Sequence, residues 1–233
     1  MIPDAILFDL DNTLAHRDLS IASYAERFAQ DFGTRLADAD AAAIATLIIE
    51  RDNGAYGVPG SPFATVREDI AATLFTRLRW REPATPAELL DHWIAFFPLH
   101  AVEMPGASDL LDRLAAAGIA IGIVSNGAEP SRRELVRRLG FDRRIRTLLS
   151  SERAGVRKPD VRIFELAARE LGVAADRCWF VGDHPVNDIH GARAAGMRAI
   201  WLAGFHHWPD DGVATTTITA LSELEPLLAF TDA

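Results

Sequence analysis

Lysine is nearly absent from this chain. Of its 24 basic residues, 23 are arginines and one, Lys158, is a lysine, the pattern of a coding bias that replaces lysine wherever arginine will serve. Lys158 then marks either a chance survivor or a place where arginine will not serve, because an ammonium is a compact point charge and a guanidinium a wide planar fork. Cysteine is as scarce. Cys178 stands alone inside the apolar run CWFVG, which excludes a disulfide framework and reads as a buried thiol. No apolar run reaches the roughly 18 residues of a membrane span, and the opening MIPDAILFDLD has neither a basic stretch nor a cleavage site. An excess of positive charge is missing too: 33 acidic against 24 basic residues give a net charge of −9, which argues against nonspecific binding to a nucleic-acid polymer. The expectation is a cytoplasmic globular protein of 233 residues, 49% hydrophobic, without internal repeats.

What is present is a change of rhythm. The four apolar residues Ala5–Phe8 read as a strand buried on both faces. Four helical patterns follow over 19–32, 38–51, 62–80 and 86–97, with Ser61 and Thr85 as N-caps ahead of prolines. From Pro105 helices and strands alternate: helix 107–117, strand 119–124, helix 130–139, strand 145–149, helix 161–171, strand 178–181, helix 188–195 and strand 199–202. A weak strand at 216–218 and a helix from Ser222 close the series. Alternation of this kind implies an α/β fold with a parallel sheet covered on both sides. The helical block reads as an insertion after the first strand, which gives a core of residues 1–15 and 101–233 and a second domain of residues 16–100.

Function in open α/β sheets gathers beyond the carboxyl ends of the strands. There stand Asp9, Asp11 and Thr13 after the first strand, and Ser125, Asn126 and Gly127 after the second. Lys158 follows the third and Asp183 the fourth, with Asp188 shortly after. Each alone has a plain structural reading as a turn or cap residue. Together they are more specific. Two carboxylates where the most buried strand emerges would repel each other unless something positive sat between them.

With DLDNT, VSN, KP and GDHPVND in this order, the chain resembles the haloacid dehalogenase-like hydrolase superfamily, and its helical block resembles that family's C1 cap. The resemblance implies a Rossmann-like core and, for most members, a magnesium-dependent phosphatase acting on a small phosphorylated metabolite. It implies Asp9 as the nucleophile that becomes an aspartyl-phosphate and Asp11 as the acid and base at the leaving group. Mg2+ would be held by Asp9, Asp183 and the Asp11 backbone carbonyl, a set that suits a hard cation. Asp188 would act through water or orient its neighbours. Ser125, the backbone N–H groups of Asn126 and Gly127, and Lys158 would bind the phosphoryl oxygens, with Lys158 steadying the transition state. Thr13 would support the loop by hydrogen bonding.

Several features fall outside these motifs. The segment from Arg51 to Pro62, rich in glycine and proline, either joins two helices or selects the leaving group through Arg51, Asn53 and Tyr56. His206 and His207 read as loop residues and His184 as a neutral turn residue. Arg132, Arg133, Arg137 and Arg138 read as a solvated helix face. A sugar phosphomutase keeps the same core residues and stays open as an alternative. A haloacid dehalogenase is disfavoured by Asp11, a phosphonatase by the lack of a second lysine, and a non-catalytic binding protein by the retention of every motif carboxylate.

Overall fold

The computed structural model describes residues 2–209 and 215–228. Contacts divide the chain into Met1–Ala15 with Glu103–Ala233, and His16–Val102. The first unit carries a six-stranded sheet of β1 (Ala5–Phe8), β2 (Ala120–Ser125), β3 (Thr147–Ser150), β4 (Cys178–Gly182), β5 (Arg198–Leu202) and β6 (Thr216–Ile218). All neighbours pair in parallel in the order β3-β2-β1-β4-β5-β6, a Rossmann-like arrangement. In that order the chain winds one way from β1 and then the other, so the crevice between β1 and β4 is the topological switch point.

The sequence dictates where the sheet is most deeply buried. Every residue of β1 is fully shielded, because apolar side chains face layers on both sides. β2 lies beside it with a glycine at its centre: a Cβ at Gly122 would sit 2.7 Å from the Leu7 side chain and 2.8 Å from that of Thr147. The large side chain on β1 thus requires the small residue on β2. Helix α8 (Val161–Leu171), whose residues Ile163, Phe164, Ala167, Ala168 and Leu171 recur at helical spacing, packs that stripe on the sheet. Cys178 is buried in the same core.

The second unit is helical, with α1 (Arg17–Phe32), α2 (Ala41–Asp52), α3 (Val66–Arg77) and α4 (Pro86–Phe96). Its core is aromatic: Tyr24, Phe28, Phe32, Trp93 and Phe97 pack with Ile44, Ile48, Ile70 and Leu74. Among the described residues no helix is long and apolar enough to cross a membrane.

Boundaries moved where capping chemistry is stronger than pattern. The third helix starts at Val66, not Pro62, because Thr65 and Glu68 form a reciprocal capping box, and Ser61 accepts the Phe63 N–H in a local turn instead of capping. Thr85 does cap α4. The expected helix at 188–195 begins earlier, as a wide π-type turn over Pro185–His190 that runs into α9 (Gly191–Ala194), because His184 Nδ1 accepts the N–H groups of Val186 and Asn187. β6 lies where the weak strand was expected, followed by a single 3-10 turn and a helix over Leu224–Leu228.

Candidate active site

β1 and β4 end side by side at the switch point, and their ends set the site. The Asp9 N–H donates to the Val181 carbonyl at 2.9 Å, so the sheet ladder holds Asp9 itself. The chain then curls tightly. The Leu10 carbonyl accepts the N–H groups of Leu14 (3.0 Å) and Ala15 (2.8 Å), Asn12 takes a left-handed φ of 56°, and the buried side chains of Leu10 and Leu14 pin the loop. Thr13 differs from its expected role: it is fully buried, but its hydroxyl makes no hydrogen bond to the described residues.

Lys158 is at the centre. It is fully buried, and its Nζ donates at 2.6 Å to Asp9 Oδ1 and at 2.6 Å to Asp188 Oδ1. Its backbone is clamped by the Asn126 side chain, whose Oδ1 accepts the Lys158 N–H at 2.9 Å while Nδ2 donates to the Lys158 carbonyl at 3.1 Å. Asn126 therefore fixes the lysine with both ends of its amide. Burial alone would pull the ammonium down, but Asp188 and Asp9 overrule it and hold its pKa above the ordinary lysine value.

Asp188 is pinned in turn. Its Oδ2 accepts the His184 N–H at 2.9 Å. Gly182 makes room for it, since a Cβ there would lie 2.5 Å from the Asp188 carboxyl carbon. Asp188 is thus held by the ammonium on one side and the His184 N–H on the other.

Asp9, Asp183 and Asp188 each offer a carboxylate oxygen, and these three oxygens lie within 4.8 Å of one another. Burial pushes Asp9 well above the usual carboxylate range, against the opposing pull of Lys158, and pushes Asp183 up to about 6. Among the described residues, neither carboxylate oxygen of Asp183 has an aligned hydrogen bond. Buried carboxylates left so are costly unless paired or metal-bound. Hard oxygen donors, a buried carboxylate without an aligned hydrogen bond and raised proton affinities together fit a small divalent cation of the magnesium type.

That fit has a testable sign. Raised carboxyl pKa values stabilise the metal-free fold below the unfolded value near 3.8, and this contribution is lost as pH rises through the folded value, about 6 for Asp183. A cation must displace those protons, so saturating Mg2+ is expected to raise the melting temperature by roughly 5–10 °C at about pH 8 and much less at about pH 5. Equal shifts at both would exclude these carboxylates as the ligands.

The histidines gather here as well. His206 Nε2 lies 3.3 Å from Asp183 Oδ2, and the His206 and His184 rings are 4.7 Å apart. His206 is therefore more than the plain loop residue expected, a contact that a coil segment gives no periodic signal to reveal. Burial pulls His184 down to about 4, so it is neutral near pH 7, as its capping role requires.

Asp11 is not one of that carboxylate group. Its Oδ2 accepts from Arg132 Nη1, on helix α6 (Glu129–Arg138), and the Arg132 side chain is only 11% exposed. This corrects the solvated arginine face: Arg133 and Arg137 are exposed, but Arg132 turns inward. A signal was available, since 132, 135 and 136 share one helical face and Leu135 and Val136 are buried. Gly127 also departs from expectation, because its N–H donates to Ser151 Oγ at 2.9 Å and is already committed. Ser125 is buried at the end of β2.

The residues expected to select substrate have local partners. Asn53 caps α2 in a left-handed conformation and donates to the Gly57 carbonyl at 2.8 Å, and Arg51 Nε lies 3.9 Å from Asp69. Tyr56 is half-buried in the same loop.

The sequence matches the family model of the haloacid dehalogenase-like hydrolases over residues 3–196. It is 32% identical to a phosphoglycolate phosphatase of Rhodospirillum rubrum over 87% of this chain and 80% of that one. It is 30% identical to a phosphoglycolate phosphatase of Xanthomonas campestris pv. campestris over 97% and 95% of the two chains. Among solved structures, the HAD-hydrolase YfnB of Bacillus subtilis, bound to magnesium, superposes with a TM-score of 0.76 at 22% identity, covering 98% of this chain and 100% of that one. A match across most of the chain, on the sheet that carries these carboxylates, makes this protein a member of the haloacid dehalogenase-like hydrolase family.

Proposed function

We propose that the chain is a magnesium-dependent phosphatase that hydrolyses a small phosphomonoester through a phosphorylated Asp9. The observation that carries this reading is the meeting of Asp9, Asp183 and Asp188 oxygens within 4.8 Å, beside a fully buried lysine. Membership of the hydrolase family and the phosphatase names of its relatives support it.

Asp9 and Asp183 would hold the cation, with the Asp11 backbone carbonyl. When bound, Mg2+ would screen the repulsion between the Asp9 carboxylate and an anionic phosphoryl group and would draw charge from its oxygens. Asp9 attacks phosphorus and the ester oxygen leaves with a proton from Asp11, whose side chain meets Arg132. Asp11 then takes a proton from the water that cleaves the acyl phosphate. Lys158, fixed by Asn126 and Asp188, faces the phosphoryl oxygens with Ser125 and steadies the charge that gathers on them. Residues 16–102 would form the family's C1 cap and set substrate choice.

The test is hydrolysis of an aryl phosphate with Mg2+ and with chelator, followed by a panel of phosphoglycolate, sugar phosphates and nucleoside monophosphates ranked by kcat/KM. Release that depends on the metal, and that transfers phosphate to water in preference to a second sugar hydroxyl, is expected. Metal-independent release, or none on any substrate, would overturn the reading.

A further inference from the structure

We propose that Arg132 is a ligand of the substrate's phosphoryl oxygens, held on Asp11 in the resting site and exchanged onto the phosphoryl group when it arrives. The proposal rests on the phosphatase reading above and adds to it a cation outside the motif residues.

The sequence around the second strand suggests that backbone N–H groups after Ser125 meet the phosphoryl group. Here one of them is not available, because the Gly127 N–H donates to Ser151 Oγ at 2.9 Å and the Gly127 carbonyl accepts the Glu152 N–H at 3.3 Å. The loop after β2 is thereby tied to the start of α7 (Ser151–Ala154) and offers an anion one backbone donor fewer. Arg132 fills that place. A Cβ on Gly127 would lie 2.7 Å from Arg132 Nε, 3.2 Å from its Cζ and 3.4 Å from Nη2, so the guanidinium occupies the space that the glycine leaves open. The backbone φ of +147° at Gly127 is itself a conformation that side chains rarely adopt.

The guanidinium also has donors to spare. It meets Asp11 through Nη1, while Nε is shielded from solvent and makes no hydrogen bond to the described residues. A guanidinium with a shielded, unmet Nε is a costly arrangement if it serves only one carboxylate, whereas a tetrahedral dianion offers several oxygens at the spacing of its fork. The other cation of this cluster, Lys158, already gives two bonds to Asp9 and Asp188. A second, planar cation between the loop after β2 and the proton-transferring carboxylate would grip the phosphoryl group and, in leaving Asp11, release that carboxylate for the ester oxygen.

The probe is inorganic phosphate, titrated by calorimetry into wild type, Arg132→Gln and Arg132→Lys, each with Mg2+ and with chelator, beside kcat and KM for an aryl phosphate. Arg132→Gln is expected to weaken phosphate by about 10–100-fold and to raise KM more than it lowers kcat, with Arg132→Lys in between. If Arg132→Gln does not fold, the lysine variant, which keeps the charge and loses the fork, carries the test through the same two measurements. Phosphate binding as tight in these variants as in wild type, or a wild type that does not bind phosphate, would overturn the assignment. A wild type that binds phosphate through Arg132 and hydrolyses nothing would sink the phosphatase reading alone, and one that hydrolyses esters with phosphate affinity indifferent to Arg132 would sink this inference alone.

Discussion

Asp9→Asn is expected to lower kcat on any phosphomonoester by roughly 10^4-fold or more while leaving the fold intact. The side chain is nearly isosteric, and its Oδ1 can still accept from Lys158 Nζ, which keeps Asp188 as a charged partner. What disappears is the negative oxygen that attacks phosphorus. The same exchange removes one carboxylate from the group that meets within 4.8 Å, so the thermal stabilisation by Mg2+ should shrink in parallel. Two measurements then separate chemistry from folding. Quenching wild type in acid during turnover of a labelled substrate should leave label on the protein, and Asp9→Asn should carry none, with a melting temperature in chelator close to that of wild type. More than about a tenth of wild-type kcat in the variant would place the nucleophile elsewhere, since removing a true nucleophile costs orders of magnitude.

How much of this was legible beforehand follows from the range of each interaction. β1 and the acids at its mouth could be read because a short apolar run and the residue that ends it are local facts. α8 was legible end to end, from an apolar stripe of unbroken helical period. The order β3-β2-β1-β4-β5-β6, which brings Asp9 and Asp183 to adjacent strand ends, was legible only as a class, because the register of parallel strands is set by packing between distant segments. The Arg132–Asp11 pair spans 121 positions and joins a helix to a loop. Only the helical phase shared with Leu135 and Val136 hinted at it, against the simpler picture of a charged run in water. Asn126 was expected to present its backbone to substrate. Its side-chain amide also clamps the Lys158 backbone, a use of side-chain chemistry that no spacing encodes.

Lys158→Met should cost both stability and activity, and the two losses should come apart on a second substitution. The thioether keeps much of the lysine's bulk but leaves Asp9, Asp183 and Asp188 crowded together without their buried countercharge. Removing one partner of a buried ionic group costs about 3–5 kcal/mol, and a lost transition-state donor roughly 10^2–10^3-fold in kcat. The destabilisation should be largest near neutral pH in chelator and should ease as pH falls, because carboxyls raised by burial take up protons first. Adding Asp188→Asn removes one uncompensated charge, while the amide oxygen can still accept the His184 N–H that Asp188 Oδ2 accepts now. The double variant is therefore expected to regain part of the lost denaturation midpoint and none of the activity. Lys158→Arg should not substitute for the native residue, because the ammonium sits fully buried with 2.6 Å contacts to both acids and the wider guanidinium would push them apart. If the double variant regained activity with stability, neutralising Asp188 would be the whole purpose of the lysine, and its place on the phosphoryl oxygens would be lost. If activity stays absent while the fold recovers, the one lysine of the chain is retained for what a compact buried cation does to a phosphoryl group in transfer.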